Sequence, residues 1–187
     1  MPESPQQAPP AARRRKDGLV ILHTGAGKGK TTAALGLALR AVGHGMRVCM
    51  VQFIKGKWQC GEHHAAPLLG ELFEIHPMGD GFTWDTRDRE ADMRRVRAGW
   101  QLAMDKVAAG GCRMLILDEL LYVLSYDYFP LQEVLDFIAR KPADLHLVLT
   151  GRNPPQALID AADLVTEMVA VKHPYQQGIK AQKGIEF

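Results

Sequence analysis

The sequence predicts an α/β fold: a mostly parallel sheet of about six strands, covered by helices on both faces. Three observations carry this expectation. The apolar residues fall in short continuous runs rather than alternating patterns, as strands buried on both faces require. These runs alternate with stretches of helical composition. A glycine-rich segment joins the first apolar run to the first helical one.

Leu19–His23 is the first expected strand, ending in glycines. Lys30–Val42 has helical composition and stops at Gly43, a natural C-terminal signal. Arg47–Phe53 is the second strand and Leu72–His76 a weaker third. Asp85–Ala109 reads as a long amphipathic helix, because Met93, Val96, Trp100, Ala103, Met104 and Val107 share one face; Gly110-Gly111 closes it. On that stripe Trp100 is expected in the core. Met114–Leu117 is the fourth strand, Leu131–Arg140 a helix opened by Pro130, and Leu145–Leu149 the fifth strand. Asn153-Pro154-Pro155 is expected to supply an N-cap and a proline at the first helical position. Asp163–Val171 is the sixth strand.

The 187 residues suffice for one domain with a substantial core, and 47% hydrophobic with 24% charged residues excludes global disorder. Residues 1–16, rich in proline and glutamine, read as a flexible tail, leaving 17–187 as the folded domain. The run Arg13-Arg14-Arg15-Lys16 is read as a solvated lead-in. A formal charge of +2 argues against nucleic acid or an acidic membrane surface as partner, and no apolar stretch approaches a membrane span. Cys49, Cys60 and Cys112 form no C-x-x-C pair. Cys49 and Cys112 read as small buried hydrophobes, and the pattern suits a reducing cytoplasm.

In parallel sheets ligands bind at the carboxyl ends of the strands. The polar clusters Thr24–Thr32, Gln52–Lys57, Asp118-Glu119 and Thr150-Gly151-Arg152 each follow a strand and should converge on one sheet edge. The segment Thr24-Gly25-Ala26-Gly27-Lys28-Gly29-Lys30-Thr31-Thr32 matches G-x-x-x-x-G-K-[ST] except at its first position, where Thr24 replaces glycine. Its glycines let the backbone approach an anion and turn N–H groups inward. The helix that follows adds its N-terminal donors. Lys30 should reach a terminal phosphate, and the Thr31 hydroxyl should ligate Mg²⁺ (or Mn²⁺) with Asp118 or Glu119. This is a P-loop (RecA-like) nucleotide-binding pattern. His63-His64 show no metal spacing and read as loop residues. No nucleophile or base constellation is present; the residues give a nucleotide and a metal, and on them alone a phosphotransferase for a small metabolite and a RecA-like ATPase module both stay open.

The loop, with its departure at the first glycine, resembles that of the P-loop corrinoid adenosyltransferases. The resemblance continues through Val51-Gln52-Phe53-Ile54-Lys55-Gly56, Gly61-Glu62, Gly81-Phe82-Thr83-Trp84-Asp85-Thr86 and Asp88-Arg89-Glu90-Ala91-Asp92. It then covers Leu117-Asp118-Glu119-Leu120, Leu149-Thr150-Gly151-Arg152-Asn153 and Lys180-Ala181-Gln182-Lys183-Gly184-Ile185-Glu186-Phe187. It implies transfer of the 5′-deoxyadenosyl group of ATP to the cobalt(I) of a reduced corrinoid, in adenosylcobalamin synthesis or salvage, with triphosphate released. Lys28, Lys30, Thr31, Glu119 or Asp118, and Arg152 would stabilise the leaving group, with ATP lying in the loop in the reverse of the usual sense. Phe82 and Trp84 would lie against the corrin and exclude its lower axial ligand. The resemblance further implies a homodimer in which residues 1–16 cover the neighbouring active site, and a reductant or flavoprotein reductase as supplier of cobalt(I).

Overall fold

The computed structural model describes residues 17–55, 59–79 and 88–187. Six strands form one parallel sheet: β1 Val20–Thr24, β2 Arg47–Gln52, β3 Phe73–Pro77, β4 Cys112–Asp118, β5 His146–Thr150 and β6 Leu164–Glu167, in the order β3-β2-β4-β5-β1-β6. The helices are α1 Lys30–Gly43, α2 Gly61–Ala65, α3 Arg89–Ala108, α4 Leu120–Ser125, α5 Leu131–Arg140 and α6 Gln156–Ala161, with 3₁₀ segments at Ala66–Leu72 and Pro174–Gln177.

Strand alternation sorts the core into two layers. Val20, Leu22, Cys49, Val51, Leu115, Leu117, Leu147 and Leu149 face one side, against Val96, Trp100 and Ala103 of α3, Leu120 and Leu121 of α4, Val134 of α5 and Leu158 of α6. Ile21, Val48, Met50, Met114, Ile116 and Val148 face the other, against Ala34, Ala38 and Ala41 of α1. Both faces are covered, which explains why the strands read as continuous apolar runs. Trp100 lies in the core, its ring centroid 4.8 Å from that of Phe129 and 5.8 Å from that of Phe137.

Several boundaries move. The long helix begins at Arg89, where the Asp88 side chain accepts from the Ala91 N–H and caps it; Met93 is 39% exposed and leaves the buried stripe. Helix α6 starts after Pro155, which is itself the N-cap residue, and no side chain caps it. Asn153 instead turns the chain with a φ of 52°, a left-handed conformation that asparagine tolerates. The sixth strand ends at Glu167 rather than Val171, because its partner β1 gives way to the glycine loop. Past that point Met168 still donates to Thr24 O (2.8 Å) and accepts from Gly27 N–H (2.6 Å). Among the described residues no helix is long and apolar enough to cross a membrane.

Candidate active site

The phosphate-type loop leaves β1 at Thr24 and enters α1 at Lys30. Gly25 has a φ of 100°, and a Cβ there would lie 2.4 Å from Met168 O, so no other residue fits without moving the backbone. Gly29, with a φ of 110°, is the N-cap residue of α1 and offers no capping side chain. The first-turn amides of α1 therefore lack a side-chain partner, and the helix presents an anion site there. Not every loop amide points inward: that of Gly27 is held by Met168 O.

Lys30 Nζ bonds Gly25 O at 2.8 Å and Gly27 O at 2.7 Å. An ammonium has three donors, so one remains for a phosphate oxygen. Burial, Arg152 and Lys28 lower its pKa, against the pull of Glu119 and Asp118. These charges share one field at the strand ends. Lys28 pairs with Glu186 of the C-terminal segment at 3.3 Å. Lys28, Arg152 and Glu186 border a cleft of about 430 Å³ beside the loop, and Arg152 also bonds Tyr122. Thr24, at the departed glycine position, is buried with its hydroxyl unpartnered, and the adjoining His23 has an unpartnered Nδ1.

Asp118, fully buried at the end of β4, is the hub. Its Oδ1 accepts from Thr31 Oγ1 (2.9 Å) and Thr150 Oγ1 (2.7 Å), and its Oδ2 from Gln52 Nε2 (3.3 Å). Lys55 Nζ lies 3.8 Å from Oδ2 and 3.2 Å from Glu62 Oε1. Burial works to lower the Lys55 pKa, but Asp118, Glu62 and Glu119 outweigh it and raise it. Thr150 Oγ1 also accepts the Glu119 N–H at 2.9 Å, which holds Glu119 in a left-handed turn with a φ of 63°. A non-glycine residue held so is costly by ~1–3 kcal/mol and points to a functional constraint.

The β2 end is tied to the same hub. His63 Nδ1 accepts from the Cys60 N–H (3.3 Å), so its proton sits on Nε2, which donates to Gln52 Oε1 at 2.6 Å. Burial lowers the pKa of the ring, against the pull of Glu62, and so favours its neutral form. His63 thus sits in α2, not in a loop, and acts on Asp118 through Gln52.

Burial first, and the Asp118 charge second, raise the Glu119 carboxyl to about 7. The unfolded chain releases this proton near 4.5. Its contribution to stability is therefore present below that pH and lost as pH rises through 7. Thermal unfolding across this window should show a fall for the wild type that Glu119→Gln flattens; an unchanged slope in the variant would contradict the assignment.

The sheet therefore brings together Thr24–Thr32, Asp118, Glu119 and Arg152, as expected from the sequence. It gives bonds to Gln52, Lys55 and Thr150, which the sequence placed in polar clusters at this edge without individual roles, and adds Glu62, His63 and Glu186, to which the sequence gave no part in the site. The available signal was position: five of the six stand at or just beyond a strand's carboxyl end or in the segment that follows. Phe82 and Trp84 lie outside the described residues.

The family described as ATP:corrinoid adenosyltransferase BtuR/CobO/CobP matches residues 16–187. A corrinoid adenosyltransferase of Pseudomonas aeruginosa is 45% identical over 177 residues, 95% of this chain and 87% of the relative. One of Escherichia coli (strain K12) is 45% identical over 170 residues, covering 91% and 86%. The corrinoid adenosyltransferase CobA of Salmonella typhimurium is 44% identical over 177 residues, covering 95% and 89%. With both the phosphate loop and its carboxylate hub assembled on one sheet edge, the chain belongs to the ATP:corrinoid adenosyltransferase family.

Proposed function

We propose that this chain transfers the 5′-deoxyadenosyl group of ATP to the cobalt(I) of a reduced corrinoid, releasing triphosphate. The observation that carries the reading is a site rich in anion-binding groups that, among the described residues, holds no positioned nucleophile–base pair. Adenosyl transfer needs none. The cobalt(I) lone pair forms the bond to the 5′-carbon, the 5′-carbon–oxygen bond breaks, and its electron pair leaves with the triphosphate. No proton has to be removed from the nucleophile.

What the protein must do is stabilise charge building on the leaving group and align the 5′-carbon with cobalt. Lys30 through its third donor, Lys28, Arg152 and the first-turn amides of α1 fulfil the first task. Charge neutralisation there also needs a cation of the Mg²⁺ or Mn²⁺ kind. Thr31, Asp118 and Glu119 are hard oxygen donors of the right class, and the like charges of the two carboxylates favour a bound cation. That cation would supply electrostatic stabilisation of the triphosphate. Lys28 must exchange Glu186 for phosphate when ATP enters, so the C-terminal segment responds to nucleotide.

The aromatic pair completes the reading. Phe82 and Trp84 exclude the lower axial ligand of the corrin, leaving a four-coordinate cobalt(II) that is easier to reduce. Trp84→Ala should then spare ATP binding yet slow turnover started from cobalt(II); normal turnover from cobalt(II) would remove the role. The functional unit is a homodimer whose residues 1–16 cover the neighbouring site, fed by a reductant or flavoprotein reductase in the cytoplasm, a compartment that suits cysteines not joined in disulfides, as Cys49, Cys60 and Cys112 are.

The direct test supplies ATP, Mg²⁺ and corrinoid chemically reduced to cobalt(I) to the purified chain. Formation of a light-sensitive adenosylated corrinoid is expected. Its absence, with the protein folded and ATP bound, would overturn the proposal.

A further inference from the structure

A second cluster of metal-ligating side chains lies on the same sheet, away from the phosphate loop. Strands β2 and β3 pair in register with Cys49 opposite Glu74 and Val51 opposite His76. Because side chains alternate along a strand, Cys49, Glu74 and His76 all emerge on one face. The Cys49 sulfur, a Glu74 carboxylate oxygen and a His76 ring nitrogen lie within 4.8 Å of one another. Cys49 is 1% exposed at the floor of a cavity of about 490 Å³, which Glu74, Lys106 and Cys112 also border. The cavity provides both an entry path and room for a further ligand.

We propose that Cys49, Glu74 and His76 form a binding site for a borderline transition-metal dication of the Zn²⁺ class, distinct from the cation site of the phosphate loop. The donor set decides the class. A thiolate with an imidazole and a carboxylate suits Zn²⁺ or Co²⁺, whereas Mg²⁺ and Ca²⁺ take oxygen ligands. The charges balance as well, since one thiolate and one carboxylate neutralise a dication.

Lys106 is the built-in competitor. Its Nζ lies 2.6 Å from Glu74 Oε2, the oxygen that His76 Nε2 also reaches at 3.1 Å. The ammonium therefore occupies, by charge, the place a dication would take. Metal entry must displace it from Glu74 and displace the thiol proton of Cys49. The neighbouring Cys112 sulfur, toward which the Cys49 N–H points, stands at the cavity wall as a candidate fourth donor.

The site makes a prediction in which the three ligands and Lys106 move binding in opposite directions. Full-length protein, freed of metal by chelator and of corrinoid by purification, is titrated with Co²⁺ as a spectroscopic probe and then with Zn²⁺ in competition with a chromophoric chelator. Wild type should bind one equivalent, with a thiolate-to-cobalt charge-transfer band that Zn²⁺ abolishes. Cys49→Ser should lose the band, and His76→Gln, at a half-exposed position that does not threaten folding, should weaken binding by at least about 10–100-fold. Lys106→Met should tighten it by about tenfold, because a full charge leaves the carboxylate. No band in the wild type, a band retained at wild-type affinity in His76→Gln, or metal affinity unchanged in Lys106→Met would overturn the site. ATP binding reports on the phosphate loop alone, so a failure here is distinguishable from a failure of the proposed activity.

Discussion

Lys30→Ala should abolish ATP use while leaving the fold intact. The side chain is half-buried and its contacts are to the loop carbonyls of Gly25 and Gly27, so no core packing depends on it. The lost hydrogen bonds cost about 1–3 kcal/mol, within what a domain of this size tolerates. The chemical loss is larger. Removing one positioned donor to developing negative charge costs about 10²–10³-fold in kcat, and Lys30 carries a full charge. The measurement is kcat/KM for ATP beside a thermal melt. A drop of at least that size with a near-native melting temperature is the expected outcome. A variant that melts normally and turns over at the wild-type rate would remove Lys30 from the mechanism.

Asp118→Asn should damage activity and stability together. The substitution keeps the shape but gives up one acceptor. Its oxygen can still receive Thr31 and Thr150, which leaves its NH₂ facing Gln52 Nε2 and Lys55 Nζ, donor against donor in a buried site. A loss of about 1–3 kcal/mol from the mismatch is expected. Activity should fall by at least about 100-fold, as the charge next to the proposed triphosphate site and its cation is gone. A secondary readout follows from Glu119, whose carboxyl is held near 7 by burial and then by the Asp118 charge. Without that charge its pKa should move down, and the pH dependence of unfolding should shift with it. Wild-type activity with an unmoved pH profile would place the hub outside the site.

The parts of the site that could be read from the sequence are those encoded by neighbours in the chain. Phosphate binding by a loop requires its glycines, lysines and threonines to be contiguous, so Gly25 through Thr32 were legible as a unit. Asp118 was legible because an acid ends an apolar run. That the Gln52–Lys57 and Thr150-Gly151-Arg152 clusters share its sheet edge was legible as well, but the bonds they make to it were not, since these depend on strand order. Gln52, Lys55 and Thr150 reach Asp118 only because β2 and β5 flank β4, and no local pattern encodes which strands become neighbours. His63 is a further step removed: it acts through a glutamine that is itself placed by the sheet. Glu186 comes from the far end of the chain to meet Lys28, a contact without any periodicity to betray it. Element ends were misjudged where a side chain or loop, rather than hydrophobic period, sets the boundary. Asp88 caps α3 with its carboxylate, and β6 stops where the glycine loop withdraws the partner strand.

The central claim is that the loop cradles a leaving triphosphate and that the reaction occurs at the 5′-carbon rather than at phosphorus. Identification of the phosphorus product tests this most directly. ATP, Mg²⁺ and chemically reduced corrinoid are incubated with the protein, and the phosphorus species are resolved by NMR. Triphosphate formed in step with adenosylated corrinoid is the predicted result, whereas ADP as the product would contradict it and mark the chain as a phosphotransferase or an ATPase.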